Sequence, residues 1–383
     1  MTPARTIFVL VSAAIVFGAL YLFSTTQPGR DAGVILAACT ENKNWEACYS
    51  GEFEKLATRV GPTQSFKTLT LLQERDPGAN GCHFIAHGIG YGTYEGNPGA
   101  WRESFRSISG ECTYGAMHGL IERGVAELPN GLGSDVLPTV CGMSPRADCN
   151  HIVGHLVLIE TRRNIEKAIG LCEALGAERQ VSFCLSGVFM EEETAVNLIR
   201  HGYADESALD WRARAPELTK LCARQTGAAA RECWTEFAHI AVAASDGDAA
   251  GAFRWCGYGG AYTTDCSLHA IGILGATEQF DFARAPAICG LSTLSPQFKN
   301  TCYASLAGSA LSSKPALARE AVRYCGNLSD EFKRSCFGVV EGSLRDVMKP
   351  RTMRSLCADV PIPYRNFCEK GSGEELHTRA PQT

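Results

Sequence analysis

Apolar and small residues recur along the chain in blocks that begin at a cysteine and are followed, after a polar or Gly/Pro break, by a shorter amphipathic block. The apolar positions of residues 164–172 are Ile165, Ala168, Ile169 and Cys172. Their steps of three, one and three residues place them on one face of a helix. The same short block recurs at residues 216–222, 317–325 and 351–357. Each repeat therefore predicts two helices, a helix A that carries the first cysteine and a helix B that ends near the last.

The cysteines give the length of this repeat. The later cysteine of each close pair, with Cys82 and Cys112 added, recurs about every 34 residues, with one longer step of 49 residues from Cys184 to Cys233. A period of this length is typical of two-helix repeats that stack into a solenoid. The predicted fold is all-α, a disulfide-stapled, right-handed α-solenoid of about nine two-helix repeats.

The 18 cysteines are an even number, as expected in a compartment that permits disulfides. Sixteen of them form close pairs: 39 and 48, 141 and 149, 172 and 184, 222 and 233, 256 and 266, 289 and 302, 325 and 336, and 357 and 368. Cys82 and Cys112 lack a near neighbour and can pair with each other. Each close disulfide would close the turn between helix B of one repeat and helix A of the next, contributing roughly 2–3 kcal/mol.

An apolar segment at residues 7–23 carries no charge and follows Arg5. The run predicts an export signal, and its length, without a clear Ala-x-Ala cleavage site, favours an uncleaved single-span anchor over a cleaved signal. The predicted location is therefore the inner membrane through residues 7–23, with the bulk of the chain in the periplasm. With a cleaved signal the chain would be secreted.

The repeat pattern divides the chain into five segments. Residues 1–30 are the anchor or signal with its tether, and residues 31–81 are an N-terminal capping repeat. Residues 82–193 are repeats that bear histidines, and residues 194–370 are scaffold repeats, with an insertion predicted at residues 201–214. Residues 371–383 have the composition of a disordered tail.

The sequence Leu171-Cys172, a short turn and then Cys184-Leu185-Ser186-Gly187 resembles that of the cysteine-rich, TPR-like (Sel-type) helical repeat proteins of bacteria. The resemblance covers most of residues 39–368 and implies a secreted α-solenoid whose helix B ends in a cysteine bridged to the following helix A. This chain lacks that family's Tyr-Tyr-x-Lys-Ala-Cys type of helix B, and the family lacks this chain's histidines. The resemblance therefore concerns architecture alone.

Five of the nine histidines lie in three consecutive repeats: His83, His87, His118, His151 and His155. Histidines four residues apart share a helix face, so the pairs 83/87 and 151/155 can each hold one ion. The sharpest prediction is one or two metal sites, built from His83, His87 and His118 or from His118, His151 and His155. The alternative is a packing motif in which each imidazole bonds to a neighbouring helix and Gly88 and Gly119 allow close approach.

Imidazole and carboxylate are the predicted ligands, because disulfides consume the thiols. Such a donor set suits Zn²⁺, Cu²⁺ or iron. Covalent haem is excluded, because no Cys-x-x-Cys-His occurs. Acid/base catalysis without a metal is a third interpretation of the cluster. A metal-dependent enzyme would use Glu122 or Glu191 as its proton carrier. His239 and His269 stand singly in later repeats and are interpreted as structural.

The sequence thus favours a membrane-tethered, exported solenoid that binds a transition metal. A protein-interaction scaffold with a protein or peptide partner on its concave face is the first alternative, and a metal-dependent enzyme is the second. Nucleic-acid binding is set aside, because the net charge is -5, the pI is near 6.0 and no basic stripe occurs.

Overall fold

The computed structural model describes residues 26–347 except 41, 43–44, 77–78, 80–81, 105–107, 109–111, 113, 128–139, 142–146 and 194–209, together with residues 356, 360, 361, 364 and 365. These described residues form helices and turns and contain no strand, which confirms the all-α prediction. The chain divides into two compact units, Met1–Ile152 and Val153–Thr383.

The first unit contains helices of four to sixteen residues. They are α1 (Gln27–Cys39), α2 (Trp45–Val60), α3 (Pro62–Arg75), α4 (Cys82–Gly96), α5 (Trp101–Ser104), α6 (Gly115–Ala126) and the start of α7 (Ala147–Glu160). The division between the units falls within the residues of α7. Helix α4 packs against both α2 and α6.

The second unit continues with helices from α8 to α18. They are α8 (Ile165–Glu173), α9 (Glu178–Glu193), α10 (Trp211–Ala223), α11 (Gly227–Glu236), α12 (Ala238–Ala244), α13 (Ala249–Cys256), α14 (Thr263–Thr277), α15 (Ala285–Cys289), α16 (Pro296–Ser313), α17 (Ala318–Asn327) and α18 (Asp330–Val347). Helix α9 packs against α11, α14 against α16, and α16 against α18.

Short polar side chains begin several of these helices. The Asn164 carboxamide accepts a hydrogen bond from Lys167 N, and the Asp210 carboxylate accepts from the first turn of α10. Such caps satisfy amide groups that have no partner inside the helix. Helices α8, α10 and α17 confirm three of the four predicted B segments, whereas most of residues 351–357 lies outside the described residues. Of the predicted insertion, residues 211–214 form the first turn of α10, and residues 201–209 lie outside the described part.

Eight of the nine predicted disulfides are confirmed. They join cysteines 39–48, 82–112, 141–149, 172–184, 222–233, 256–266, 289–302 and 325–336. All sixteen cysteines within the described residues are therefore oxidised. The ninth predicted pair, 357 with 368, lies outside the described residues.

The predicted localisation, an inner-membrane-anchored protein, is corrected. Among the helices within the described residues, none combines the length and the hydropathy that crossing a bilayer requires. Residues 7–23, on which that expectation rested, lie outside the described part of the chain. The disulfides themselves are typical of exported proteins.

Candidate functional site

The first histidine cluster depends on a backbone contact between α4 and α6. A Cβ atom added at Gly115 would lie 2.1 Å from His83 O, and one added at Gly119 would lie 2.1 Å from His87 O. No side chain fits at such a distance, so these two positions, four residues apart, let α6 lie directly on the turn of α4 that carries both histidines. The expectation that Gly119 allows close approach is confirmed.

The imidazoles of His83, His87 and His118 meet at this contact. Each offers a ring nitrogen, and these nitrogens all lie within 4.8 Å of one another. The Nε2 atoms of His83 and His87 are 3.2 Å apart. The ring centroid of His118 lies 4.8 Å from that of His83 and 5.2 Å from that of His87. His87 and His118 are buried and His83 is half-buried. The fold therefore brings together the first predicted set of three ligands.

The other ring nitrogens of His83 and His87 face acceptors. His83 Nδ1 lies 3.1 Å from the carbonyl oxygen of Cys112, and His87 Nδ1 lies 3.4 Å from the carboxylate of Glu122. A carbonyl and a carboxylate only accept hydrogen bonds, so both Nδ1 atoms are the donors. In a neutral imidazole this assignment leaves the lone pair on Nε2, which is the atom that faces the other histidine.

Glu122, a predicted proton carrier, is held at the back of His87. The Tyr91 hydroxyl donates a hydrogen bond to Glu122 Oε2. The Arg123 guanidinium lies 5.3 Å from the centroid of the Tyr91 ring and 3.0 Å from Glu54 Oε1. A carboxylate on the far nitrogen of a metal-ligating histidine fixes the ring and increases its basicity. Glu122 has this position relative to His87.

The remaining predicted histidines lie on α7. His151, in the first unit, has its ring centroid 5.8 Å from that of His118. His155, in the second unit, donates from Nδ1 to Glu191 Oε2 at 3.0 Å. A Cβ added at Gly154 would lie 2.0 Å from the carbonyl oxygen of Cys184, so α7 and α9 also touch through their backbones. Glu191, the second predicted proton carrier, is fully buried beside His155.

A second cluster, which the sequence interpretation missed, lies in the second unit. Glu236 ends α11, His239 lies on α12 and His269 lies on α14. The two Nε2 atoms are 3.3 Å apart, and Glu236 Oε2 lies 3.7 Å from each of them. His239 and His269 were interpreted as single structural histidines, whereas the fold pairs them.

Burial governs the protonation of this second cluster. Burial raises the pKa of Glu236 to about 7, against a lowering contribution from the hydrogen bond donated by Ser186. Burial also lowers the pKa of His269 to about 4, and burial together with the neighbouring His269 lowers the pKa of His239 to about 3. Both imidazoles are therefore neutral near pH 7, which is the form that binds metal ions.

One sequence signal could have found the second cluster. His239 lies six residues after Cys233, as His118 lies six after Cys112 and His155 six after Cys149. His269 lies only three residues after Cys266, so it breaks the pattern. The distance of six residues from the preceding cysteine therefore identifies His239, but only the packing of α12 beside α14 supplies its partner.

Glu193 is a third acidic group near potential ligands, beside the sulfurs of Cys222 and Cys233. Those sulfurs form a disulfide and so supply no thiolate. Burial raises the pKa of Glu193 well above its usual value, and the nearby Glu236 raises it further. We therefore interpret Glu193 as a buried carboxyl group whose neutral form burial favours, and not as a metal ligand.

Comparison of the whole chain with family models, with curated proteins and with solved structures finds no match.

Proposed function

We propose that the first unit binds a divalent transition-metal ion through His83, His87 and His118, with Glu122 orienting His87. The main support is the distance of 3.2 Å between the Nε2 atoms of His83 and His87. The Nδ1 atom of each ring faces a hydrogen-bond acceptor, so each Nε2 atom carries the lone pair of a neutral imidazole. Two lone pairs directed at each other at this distance repel unless a cation lies between them.

A proton or a metal ion could be that cation. A proton shared by His83 and His87 would use two nitrogens, whereas a third imidazole, that of His118, offers its nitrogen within 4.8 Å. Two nitrogen ligands of a tetrahedral zinc ion with Zn–N bonds of about 2.0–2.1 Å lie roughly 3.3 Å apart. The observed separation of 3.2 Å agrees with that value. A metal ion can therefore bind all three imidazoles, whereas a shared proton binds two.

The donor set restricts the ion. The ligands are imidazoles, because the described cysteines are in disulfides. Neutral imidazole suits zinc, copper and iron ions and disfavours calcium and magnesium, which prefer oxygen. Three protein ligands leave a further coordination position for water or for another ligand. Zn²⁺ and Cu²⁺ are the first ions to test.

The test compares the metal content of the full chain, expressed with its disulfides intact, before and after replacing the histidine pair. We expect His83→Ala with His87→Ala to lose one bound equivalent of Zn²⁺, measured by elemental analysis after dialysis. His377→Ala, a substitution in a histidine that is not among the proposed ligands, is the matched control and should change nothing. Circular dichroism reports folding. Histidine-pair variants that bind the ion unchanged, or that unfold as completely as a disulfide variant does, would favour the packing alternative.

The repeat architecture is the second part of the proposal. The disulfides support it, because in the second unit five of them join consecutive helices in the same way: α8 to α9, α10 to α11, α13 to α14, α15 to α16 and α17 to α18. A two-helix repeat of about 34 residues, stacked within each unit as in a solenoid, accounts for this regularity. Limited proteolysis should cut the link between helix A and helix B of one repeat and leave the helix pairs that each disulfide joins. The likeness to Sel-type proteins stays an expectation about architecture.

Two other functions stay predictions. A scaffold that binds a protein or peptide would need a partner, and pull-down with the histidine variants would separate that function from metal binding. A metal-dependent enzyme would need a mobile proton carrier. Glu122 already accepts hydrogen bonds from His87 and Tyr91, which favours an orienting role over proton transfer.

A further inference from the structure

We infer that the second unit contains a separate metal site formed by Glu236, His239 and His269, a set of two imidazoles and one carboxylate. This site goes beyond the proposed function, because it uses other helices and other residues. Its ligands come from the junction of α11 and α12 and from the first half of α14. Glu236 and His239 are three residues apart, which places them on neighbouring positions of a helical surface.

The distances among the three ligand atoms fit an ion. The Nε2 atoms of His239 and His269 are 3.3 Å apart, and each is 3.7 Å from Glu236 Oε2. A point equidistant from these three atoms lies about 2.1 Å from each, which matches Zn–N and Zn–O bonds of about 2.0–2.2 Å. The space between the side chains therefore has the size of a coordinated transition-metal ion without any movement of the backbone.

A buried carboxylate oxygen without a hydrogen-bond donor also indicates a bound cation at this site. Glu236 Oε1 accepts a hydrogen bond of 2.6 Å from the Ser186 hydroxyl, whereas Oε2 is buried and has no hydrogen-bond donor among the described residues. No lysine or arginine in the described part of the chain forms an ion pair with Glu236. Burying such an oxygen without a partner is costly. A cation between Oε2 and the two imidazoles would remove that cost.

The charges around the site also favour a cation. Glu232 and Glu193 both lie near enough to Glu236 to interact with it electrostatically. Glu232 is paired with Arg231 at 3.0 Å. The two imidazoles are the only basic groups directed at Glu236 Oε2 within the described residues. A bound divalent ion would thus neutralise the buried carboxylate.

The site is open on its histidine side. The side chains of His239 and His269 are 23% and 35% exposed, whereas that of Glu236 is 4% exposed. An ion can therefore enter from solvent and keep a water molecule as a further ligand. Two histidines and one carboxylate with an open position form a donor set that holds Zn²⁺ or Fe²⁺ in metalloenzymes. A borderline divalent ion is accordingly the expected ligand, and Zn²⁺ and Co²⁺ are the probes.

The experiment counts the ions bound by the full, disulfide-intact chain and by variants of each cluster. Zn²⁺ is titrated by calorimetry, and Co²⁺ is followed by its visible absorption, which reports coordination number. We expect the unaltered chain to bind two equivalents, and His83→Ala with His87→Ala to keep one. We expect His239→Ala with His269→Ala to keep the other, and a protein with all four substitutions to bind none. His377→Ala is again the control.

A variant of nearly the same shape guards against loss of folding. Glu236→Gln preserves the volume and the acceptor for Ser186, so we expect unchanged circular dichroism and at least a 100-fold weaker second equivalent. A folded Glu236→Gln protein that binds two equivalents as tightly as before would overturn the second site. So would a His83→Ala, His87→Ala protein that binds no ion.

The outcomes for the two sites are distinguishable. If the chain binds one equivalent and only the His239 and His269 substitutions remove it, the second site stands and the proposed function of the first unit is wrong. If only the His83 and His87 substitutions remove that equivalent, the proposed function of the first unit stands and the second site is wrong. If the unaltered chain binds neither Zn²⁺ nor Co²⁺, both are wrong, and each cluster is a hydrogen-bonded packing element.

Discussion

The histidine clusters of the two units place their carboxylates on opposite sides of the imidazoles. In the first unit, Glu122 accepts a hydrogen bond from Nδ1 of His87, behind the ring. In the second unit, Glu236 Oε2 lies on the Nε2 side of His239 and His269, where a ligand would lie. The same residue types therefore form a set of three imidazoles with a supporting carboxylate in one unit, and a mixed set of two imidazoles and one carboxylate in the other.

This difference predicts different preferences. Three neutral imidazoles leave the full charge of a divalent ion to be balanced by Glu122 from behind and by solvent ligands, whereas Glu236 balances half of it directly. Carboxylate ligands suit harder ions, and imidazoles suit softer ones. The second cluster should consequently discriminate less between copper and zinc than the first. The second cluster is also more exposed, with His269 at 35% against His87 at 4%, so its ion should exchange faster.

Removing a disulfide should give the largest effect on stability, and the effect on ion binding should depend on which unit loses the disulfide. The chain-entropy model gives about 3–4 kcal/mol for the Cys82–Cys112 loop and about 2–3 kcal/mol for the Cys325–Cys336 loop. We expect Cys82→Ser with Cys112→Ser to weaken ion binding at the first cluster as well, because the Cys112 carbonyl oxygen accepts from His83. Thermal unfolding and Zn²⁺ titration measure both effects.

Cys325→Ser with Cys336→Ser is the matched control for that experiment. It should lower the melting temperature and leave the binding of both equivalents intact. Equal loss of binding in the two cysteine variants would mean that global stability, and not the local contact at Cys112, governs the first cluster.

Adding a methyl group at the contact between α4 and α6 should disrupt ion binding at the first cluster and leave the second cluster unchanged. Gly119→Ala would place a Cβ atom 2.1 Å from His87 O, so the helices must separate. Overpacking of this kind costs about 1–3 kcal/mol. We expect loss of the first equivalent of Zn²⁺ and retention of the second. Denaturant unfolding and calorimetric titration are the measurements.

Gly170→Ala on α8 provides the control for the glycine experiment. No atom lies within 4 Å of a Cβ added there. Alanine should stabilise the helix by roughly 0.5–1 kcal/mol and change neither ion site. If Gly119→Ala behaves in the same way, the contact between α4 and α6 is looser than described, and the placement of His118 is wrong.

Substituting the two carboxylates tests their different positions. Glu122→Gln should weaken the first equivalent about 10–100-fold, the usual cost of losing a partner that orients a ligand. Glu236→Gln should weaken the second equivalent by more, because it removes a charged ligand. Competition with a chromophoric chelator measures both. Equal losses at the two positions would contradict the distinction between a supporting and a ligating carboxylate.

The smallest expected effect concerns the hydroxyl that supports Glu236. Ser186→Ala removes the 2.6 Å hydrogen bond to Oε1 and should cost about 1–2 kcal/mol of stability. The second equivalent should weaken a few-fold and the first should not change. A Ser186→Ala protein with an altered first site would show that the two clusters are coupled.

The helices and the disulfides could be predicted from the sequence, because both depend on short-range features. A cap such as Asn164 and the apolar spacing of residues 165–172 act within one or two turns, so they are visible in a short segment. Cysteines 8 to 13 residues apart can hardly avoid each other when two short helices meet at a turn. The pairing of Cys82 with Cys112 could also be predicted, because these two cysteines are left over once the close pairs are assigned.

The sequence also determined which residue types could bind an ion, and the tertiary structure decided which of them meet. Which side of a helix faces its neighbour depends on how closely the two backbones approach, and glycines such as Gly119 set that approach for α4 and α6. His269 is 30 residues from His239, and no local spacing connects the two. Their pairing, and the direction of Glu236 toward them, follow from the packing of separate helices, because packing fixes the rotation of each helix about its axis.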